Sequence, residues 1–293
     1  MLGKQPVGFH GFHKGELHVQ RRAGVQAQAA RLRGMLEPVE LRGGIVTFLA
    51  ERTFAVITGR DDANRLWTSP LTGQPGFLEA SSPTTLTIHT ALLSGDPLYQ
   101  LGAGQPVGLV VVEFATRRRV RINGLLADVS GDGLVVEVEQ AYGNCPQYIH
   151  HRRLVPDTGD AASPDVRRGL TLDDEDVELI RSADTFFLGT THPERGNDAS
   201  HRGGPAGFVH VSGNELWWPD YPGNNMFNSF GNLAVDAAAA LLFLDFQAGR
   251  TVALSGTAAL EWVSEDEEPT GRRVRFTVEN VVSGRLLAAL EAA

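Results

Sequence analysis

The chain contains an internal repeat with a period of about 131 residues, and this repeat limits the possible folds more than any single motif does. Ser69-Pro70-Leu71-Thr72-Gly73-Gln74-Pro75-Gly76-Phe77 aligns with Ser200-His201-Arg202-Gly203-Gly204-Pro205-Ala206-Gly207-Phe208, at an offset of 200 − 69 = 131. With slips of one or two residues the match continues, at 246 − 114 = 132, through Phe114/Phe246, Val120/Val252, Gly124/Gly256 and Ala127/Ala259. This period is longer than the unit of a solenoid, so it predicts a duplicated domain.

The composition is that of a globular protein with room for two domains. The 293 residues are 42% apolar and 21% charged, which is ordinary for such proteins. The net charge of −9 argues against a nucleic-acid partner, because binding phosphates requires a basic surface. The longest apolar stretch, Leu233 to Phe246, includes two aspartates and is too short to span a membrane. No signal peptide is recognisable, so a cytoplasmic location is expected. The single cysteine, Cys145, excludes an internal disulfide and a cysteine-rich metal site.

One dense basic run, Arg117-Arg118-Arg119 together with Arg121, interrupts this acidic chain. Like charges are common on exposed strand edges and turns, where they prevent edge-to-edge pairing. We therefore expect this run to be a solvated strand edge or turn.

The repeat helps to predict the helices. A helix is expected from Glu16 to about Met35, outside the duplication. Residues 44–50 are rich in β-branched residues, but they align with residues 176–181, which follow an acidic helix start. Both segments are therefore predicted to be helices.

Strands dominate the rest of each copy. In both copies we expect a strand, a strand running through the shared Gly-Phe pair, and four more strands, with a short helix in the middle. The expected strands are Phe54–Gly59, Thr85–Thr90, Val107–Phe114, Val120–Ala127 and Leu134–Val138 in the first copy, and Thr185–Thr190, Glu215–Asp220, Ala239–Phe246, Thr251–Leu260 and Arg273–Val278 in the second. The expected short helices are Pro97–Ala103 and Asn225–Leu233. This arrangement predicts a mainly β (α+β) fold with one small antiparallel barrel in each copy.

The chain divides into four predicted parts. Residues 1–41 form an N-terminal arm and helix, and residues 42–153 form the first barrel. A linker follows at residues 154–166, which are rich in Asp, Gly, Ala, Ser and Pro. Residues 167–293 form the second barrel.

Four segments of the second copy are informative in combination: Thr185-Phe186-Phe187-Leu188-Gly189-Thr190, Ser200 to Val209, Pro219-Asp220-Tyr221-Pro222-Gly223-Asn224-Asn225-Met226-Phe227-Asn228, and Ala240-Leu241-Leu242-Phe243. Through them the second copy resembles the FMN-binding split-barrel superfamily related to pyridoxamine 5′-phosphate oxidase. The end of the first copy, Tyr142 to Ile149, is also similar to an element of these proteins. The likeness extends over about residues 42–281. It implies two tandem split barrels that pack as an intrachain pseudo-dimer, with homodimerisation of the whole chain left open.

The resemblance also implies a ligand site in the second barrel. In the superfamily, one strand and the loop entering a short helix hold the flavin phosphate, and here they correspond to about His201–Val209 and Asn224–Phe227. The cofactor-binding residues implied are Ser200, His201, Arg202, Gly203, Gly204, Pro219, Asp220, Asn224, Asn225, Met226 and Thr251. The first copy is expected to contribute the segment Asn144–Tyr148. No residue is assigned a catalytic role.

One departure from the superfamily bears on the phosphate. Relatives place one or two basic residues in the loop where this chain has Asn224-Asn225-Met226. The positive charge would then come from Arg202, with His201 beside it. Of the adjacent residues Trp217 and Trp218, at most one can line the pocket, because neighbours on a strand point to opposite faces.

The first copy is expected to be a structural partner without a flavin of its own. It has Pro70 and Leu71 where the second copy has His201 and Arg202, and its Asp96 would repel a phosphate.

Three functions remain open at this point. The first is an FMN-dependent oxidoreductase that acts on a small molecule and receives electrons from a reduced nicotinamide or a reductase. The second is a non-catalytic carrier or sensor of a flavin or haem. The third is an interaction protein with a decayed flavin site.

Overall fold

A computed structural model describes residues 11–37, 40–143, 145–156, 165–287 and 290–292. Two antiparallel sheets, of seven and eight strands, make up most of it. The first sheet consists of β1 (Phe54–Arg60), β2 (Leu66–Thr72), β3 (Leu78–Ser82), β4 (Thr85–Ile88), β5 (Pro106–Glu113), β6 (Arg118–Ser130) and β7 (Gly133–Gly143). After β8 (Leu154–Pro156), the second consists of β9 (Val166–Gly169), β10 (Thr185–His192), β11 (Gly196–Gly203), β12 (His210–Ser212), β13 (Glu215–Pro219), β14 (Ala238–Asp245), β15 (Arg250–Trp262) and β16 (Arg272–Gly284). A last strand, β17 (Leu290–Ala292), pairs with β8.

The two sheets repeat one strand order. The first reads β2-β1-β5-β6-β7-β4-β3 and the second reads β11-β10-β14-β15-β16-β13-β12, with β9 added beside β16. The registers agree as well: Phe54 pairs with Thr72 and Thr185 pairs with Gly203, at offsets of 185 − 54 = 131 and 203 − 72 = 131. The offset found in the sequence therefore relates equivalent positions in the two barrels.

Among the described residues, five short helices accompany the sheets: α1 (Lys14–Arg22), α2 (Gln26–Ala30), α3 (Gly44–Ala50), α4 (Asp174–Ser182) and α5 (Asn228–Leu233). Helices α3 and α4 are the pair that the repeat predicts. The single helix expected from Glu16 to Met35 is wrong. Gly24 adopts a left-handed conformation (φ 70°) that ends α1, and a 3-10 turn at Arg33–Leu36 follows α2.

The structure also corrects the expected strands through the Gly-Phe pairs and both of the expected short helices. The shared Gly-Phe pairs do not lie in strands, because Gly76 and Gly207 have φ values of 98° and 83° and form turns. No helix forms at Pro97–Ala103, where Asp96 Oδ1 accepts a hydrogen bond from the backbone N–H of Leu98 and holds a turn. The helix expected from Asn225 begins only at Asn228, since Asn225 and Phe227 have left-handed φ values of 61° and 59°.

The barrels pack against each other through a shared apolar core. The rings of Phe54 and Phe187 lie 5.7 Å apart, and those of Phe114 and Phe246 lie 5.4 Å apart. Each buried aromatic ring of this kind contributes about 1.5–3 kcal/mol. Strand β5 crosses β11 so closely that a Cβ at Gly108 would lie 2.6 Å from the Cα of Asp198. The predicted fold class is confirmed: mainly β, with two tandem antiparallel barrels forming an intrachain pseudo-dimer behind an N-terminal helix.

The predicted linker is described only at its ends. Its residues 157–164 lie outside the described residues, as does Asn144. In the part of the chain that the structure describes, no helix is both long enough and apolar enough to cross a membrane.

Candidate functional site

A cleft lies between the two barrels, and both barrels form its walls. The first barrel contributes β6 and the segment 145–148 that follows β7. The second contributes β11, the end of β13, the loop of residues 220–227 and the first turn of α5. The cleft therefore depends on the packing of the two barrels.

Four arginine side chains line this cleft: Arg119, Arg121, Arg202 and Arg272. Arg119 and Arg121 share one face of β6, because residues two apart on a strand point the same way. They extend from the first barrel toward Arg202, which lies on β11 of the second barrel. We call the three side chains Arg119, Arg121 and Arg202 the arginine cluster.

Carboxylates neutralise two of the four arginines. Arg121 Nη1 lies 3.0 Å from Asp198 Oδ2, and Arg272 Nε lies 2.8 Å from Asp220 Oδ2. Asp220 is buried, and this burial raises the pKa of its carboxyl although Arg272 opposes the rise. Both pairs also fix the orientation of their guanidinium groups.

The other two arginines have weaker partners. Arg119 Nη1 donates to Nδ1 of His201 at 3.0 Å. The guanidinium carbon of Arg202 lies 4.9 Å from the centre of the Phe230 ring, a favourable cation–π contact. Neither contact supplies negative charge, so the cleft has an excess of about two positive charges, four guanidinium groups against two carboxylates.

Several buried nitrogen atoms in the cleft have no hydrogen-bond partner among the described residues. They are the Nε atoms of Arg119, Arg121 and Arg202, Nε2 of His201 and Nε1 of Trp218. A buried donor without a partner costs about 1–3 kcal/mol. A ligand with several acceptor oxygens would remove this cost at each nitrogen that it reaches.

The cluster also shifts its own protonation equilibria. Burial, and then the neighbouring Arg121, lowers the pKa of Arg119 to about 9 and that of Arg202 to about 10. Both guanidinium groups remain cations at neutral pH. Their mutual repulsion favours an anion in the cleft, since an anion stabilises every charge of the cluster at once.

The His201 ring is uncharged in these surroundings. Burial, followed by the charge of Arg119, lowers its pKa well below the usual value. Because Arg119 donates to Nδ1, the ring proton is assigned to Nε2. His201 therefore offers a neutral N–H donor rather than a positive charge.

Aromatic residues form the opposite part of the cleft. Tyr148 of the first barrel stacks on Tyr221 of the second, with ring centres 5.2 Å apart, and its hydroxyl donates to the carbonyl oxygen of Pro222. Trp218 lines the cleft and packs edge-on against Phe186. Trp217 points away and stacks on His210, as the alternation of strand side chains requires.

Seven of the eleven residues expected to bind a cofactor line the cleft: His201, Arg202, Gly203, Pro219, Asp220, Asn224 and Asn225. The segment expected from the first barrel also reaches it, through Cys145, Gln147 and Tyr148.

The other four expected residues do not line the cleft. Ser200 donates to the carbonyl oxygen of Leu188 on the neighbouring strand β10, and Gly204 lies against the ring of Phe208. Met226 is fully buried in a small cluster with Leu36 and Tyr142. Thr251, on β15, is buried and donates to the carbonyl oxygen of Gly284 on β16.

The position of Thr251 has a geometric reason. Val120 is equivalent to Val252 (252 − 120 = 132), so Thr251 is the counterpart of Arg119. In a pseudo-dimer, each barrel's β6 or β15 faces the partner barrel's site. The residue that faces the cleft is therefore Arg119, and Thr251 faces the opposite pseudo-symmetric position.

Sequence reasoning missed Arg119, Arg121 and Arg272. The expectation of a solvated basic run holds for Arg117 and Arg118, which are exposed, but is wrong for Arg119 and Arg121. The signal was the spacing of two between these arginines on one strand, together with the expected interface between the barrels. The loop Asn224-Asn225-Met226 has no basic residue, and Arg119 and Arg121 bring positive charge to the cleft from the first barrel.

A protein-family model matches part of the second copy. The family model described as pyridoxamine 5′-phosphate oxidase matches residues 172–281. No curated protein is matched by the sequence.

Three similar solved structures each correspond to about 40% of this chain. They are HupZ from Group A Streptococcus (11% identity, 41% of this chain and 98% of that chain, TM-score 0.32), an FAD-binding protein from Mycobacterium smegmatis (13%, 41% and 97%, TM-score 0.28), and a protein from Clostridium acetobutylicum related to general stress protein 26 (17%, 40% and 92%, TM-score 0.28). The family model confirms the predicted resemblance for residues 172–281, within the second barrel.

Proposed function

We propose that the cleft binds FMN and that the protein is an FMN-dependent oxidoreductase. The observation that supports this proposal most is the arginine cluster. Both barrels contribute buried guanidinium groups to it, and the Nε atoms of these groups have no hydrogen-bond partner among the described residues. A phosphate monoester carries a charge of about −1.5 to −2 at neutral pH and offers three acceptor oxygens. Both properties match the excess charge and the free donors of the cleft.

The arrangement of the donors, more than their type, suits a phosphate. Guanidinium groups bind carboxylates and phosphates alike through a planar fork of N–H donors. Three forks from two directions suit a tetrahedral anion with oxygens on all sides. The neutral Nε2–H of His201 adds a donor without adding charge.

The remaining residues would position the rest of the ligand. The stacked Tyr148 and Tyr221 line the cleft, and Asp220 and Arg272 hold each other in place along one wall. When bound, FMN supplies electron transfer through its isoalloxazine ring. The chain's own part is to bind, orient and shield it.

The first experiment compares FMN with riboflavin, which lacks the phosphate. We expect FMN to bind at least about 100-fold more tightly, since two charge-assisted contacts at about 1.5–3 kcal/mol each favour it. Fluorescence titration at low and high salt measures both affinities. Equal affinity for the two ligands, or no binding of either, would contradict a flavin phosphate site.

A second experiment separates an enzyme from a carrier. The FMN complex is mixed anaerobically with NADH or NADPH, and the flavin absorbance is followed. Bleaching at a rate far above that of free FMN supports an oxidoreductase. A flavin that binds tightly but is reduced by neither nicotinamide, nor by a reductase, supports a non-catalytic carrier or sensor.

A further inference from the structure

The N-terminal helix α1 presents a mostly polar face to the second barrel, in which Val19 packs into the apolar core beside the polar Glu16 and Gln20. Three side chains on this face hydrogen-bond to the segment 226–232, which forms the end of the cleft loop and helix α5. The contacts are His13 Nε2 to Asn232 Oδ1 at 3.1 Å, Asn228 Nδ2 to Glu16 Oε1 at 2.5 Å, and Gln20 Nε2 to the carbonyl oxygen of Met226 at 3.0 Å.

Burying these polar side chains costs free energy of folding. Glu16 is 3% exposed and Gln20 is 1% exposed. A helix that only covers a core would bury apolar side chains at such positions, because a buried carboxylate is expensive. The polar groups on this face of α1 therefore form hydrogen bonds with the backbone and the side-chain amides of the cleft loop and α5.

The two helices touch at their backbones. A Cβ on Gly15 would lie 2.1 Å from the carbonyl oxygen of Gly231. Only glycine permits this approach, so the fit between α1 and α5 is specific. Asn228, which Glu16 holds, also lines the cleft.

We propose that α1 is a clamp on the ligand-binding cleft, in which Glu16, Gln20 and His13 are positioning residues that couple the docking of α1 to ligand binding. The identity of the ligand rests on the proposed function above. The clamp fixes the loop end at Met226 and the first turn of α5 at Asn228, both of which must be ordered for the cleft to close on a ligand. By reciprocity, a ligand that needs this order must tighten the docking of α1.

One contribution to the clamp, that of Glu16, has a pH dependence of defined sign. Burial raises the pKa of Glu16 from 4.5 to about 7. The titratable groups around it are His13 on its own segment, Arg195 beside the β10–β11 turn, Asp198 on β11 and Tyr142 from the first barrel. Docking takes up a proton on Glu16, so the contribution of Glu16 weakens as the pH rises from 4.5 to about 7 and changes no further above that. His13 acts in the opposite sense, because burial lowers its pKa from 6.5 to about 3 and docking therefore releases its proton. The contribution of Glu16 is separated from that of His13 by comparison with Glu16→Gln, in which His13 is unchanged.

The test uses FMN as the probe on the full chain. Hydrogen exchange is measured for residues 14–22 with and without FMN, and FMN affinity is measured for the parent, Gly15→Val, Gln20→Ala and the control Gly34→Ala, where an added Cβ meets nothing within 4 Å. We expect FMN to slow exchange in α1 of the parent. Gly15→Val should bind FMN at least about tenfold more weakly, Gln20→Ala about threefold more weakly, and the control unchanged.

The outcomes separate the clamp from the proposed function. If the parent does not bind FMN, the proposed function fails. If the parent binds FMN but exchange in α1 is unaffected, or if Gly15→Val and Gln20→Ala retain parental affinity, the clamp is wrong while the site stands. Should Gly15→Val not fold, Gln20→Ala and the exchange measurement on the parent decide alone.

A pH series distinguishes positioning from mere stabilisation. Glu16→Gln keeps the contact to Asn228 but removes the titration. The ratio of the parental Kd for FMN to that of Glu16→Gln should rise at least about threefold between pH 5 and pH 7 and then stay level. A constant ratio would show that Glu16 only stabilises the fold.

Discussion

At the scale of single residues, two of the four arginines in the cleft come from a strand of the first barrel. Arg119 and Arg121 stand where the second barrel has Thr251 and Ala253 (251 − 119 = 132 and 253 − 121 = 132). The same strand position is thus basic in one copy and neutral in the other. This difference makes the two faces of the pseudo-dimer chemically unequal.

Replacing Arg119 by Thr, its counterpart, should weaken FMN binding by roughly 10- to 100-fold, because one charge-assisted contact contributes about 1.5–3 kcal/mol. Riboflavin binding should change less than about threefold, since riboflavin has no phosphate. Fluorescence titration of both ligands gives the two affinities.

The control for this change is Arg118→Ala, which alters the adjacent, exposed arginine. It should leave the affinity for FMN within about twofold, because exposed charges are screened by salt. If Arg119→Thr and Arg118→Ala behaved alike, the phosphate would lie away from β6.

Asp96 gives a prediction of stability against pH. Its carboxyl accepts hydrogen bonds from Ser69 Oγ at 2.6 Å and from the N–H of Leu98 at 2.7 Å, yet burial raises its pKa from 3.8 to about 6. Because the folded pKa lies above the unfolded value, the folded state favours the protonated form. Stability is therefore lost as the pH rises from 3.8 to about 6.

Asp96→Asn keeps both acceptor contacts and removes this titration. It should raise the free energy of unfolding by about 1–3 kcal/mol at pH 7.5 and by little at pH 4. Urea denaturation at the two pH values measures the difference, with the exposed Asp128→Asn as control. A gain of equal size at both pH values would mean that ionisation of Asp96 is not the cause.

At the scale of secondary-structure elements, the strands followed from the sequence and the loops did not. The repeat located most strands to within a few residues and identified α3 against its local β propensity, because the aligned copy carried a clear helix start. The start of α5 could not be predicted, since Asn225 and Phe227 adopt left-handed conformations that only tertiary contacts impose.

The same limit applies to the site. The residues on β11 and at the end of β13 were predictable because the resemblance is carried by contiguous motifs. Arg119 and Arg121 were not, because their approach to Arg202 depends on how two barrels pack. A residue's role at an interface is fixed by the partner surface, which a local pattern does not contain.

The crossing of β5 and β11 can be tested by one added methyl group. Gly108→Ala would place a Cβ 2.6 Å from the Cα of Asp198, where only backbone movement relieves the overlap. It should lower the free energy of unfolding by about 1–3 kcal/mol and weaken FMN binding, since Asp198 holds Arg121. Gly131→Ala, with nothing within 4 Å of the new Cβ, should change neither. Unaltered stability in Gly108→Ala would show that the barrels are farther apart.

At the scale of the whole molecule, fusing two barrels in one chain allows the halves to diverge. A homodimer of identical barrels has two equivalent sites by symmetry. Here the positions equivalent to His201 and Arg202 are Pro70 and Leu71 (201 − 131 = 70 and 202 − 131 = 71). Leu71 is 1% exposed in the core, so an apolar side chain stands there in place of the cation.

This asymmetry predicts one FMN per chain. The counterpart position lacks every member of the arginine cluster, having Leu71, Thr251 and Ala253 instead, and it carries the buried carboxyl of Asp96, whose ionised form repels phosphate. Titration with FMN at protein concentrations well above Kd should end at one equivalent per chain. Arg202→Ala should weaken binding at that single site by roughly tenfold or more without revealing a second. Two equivalents, or a tight site that survives in Arg202→Ala, would show that the first barrel has kept a site of its own.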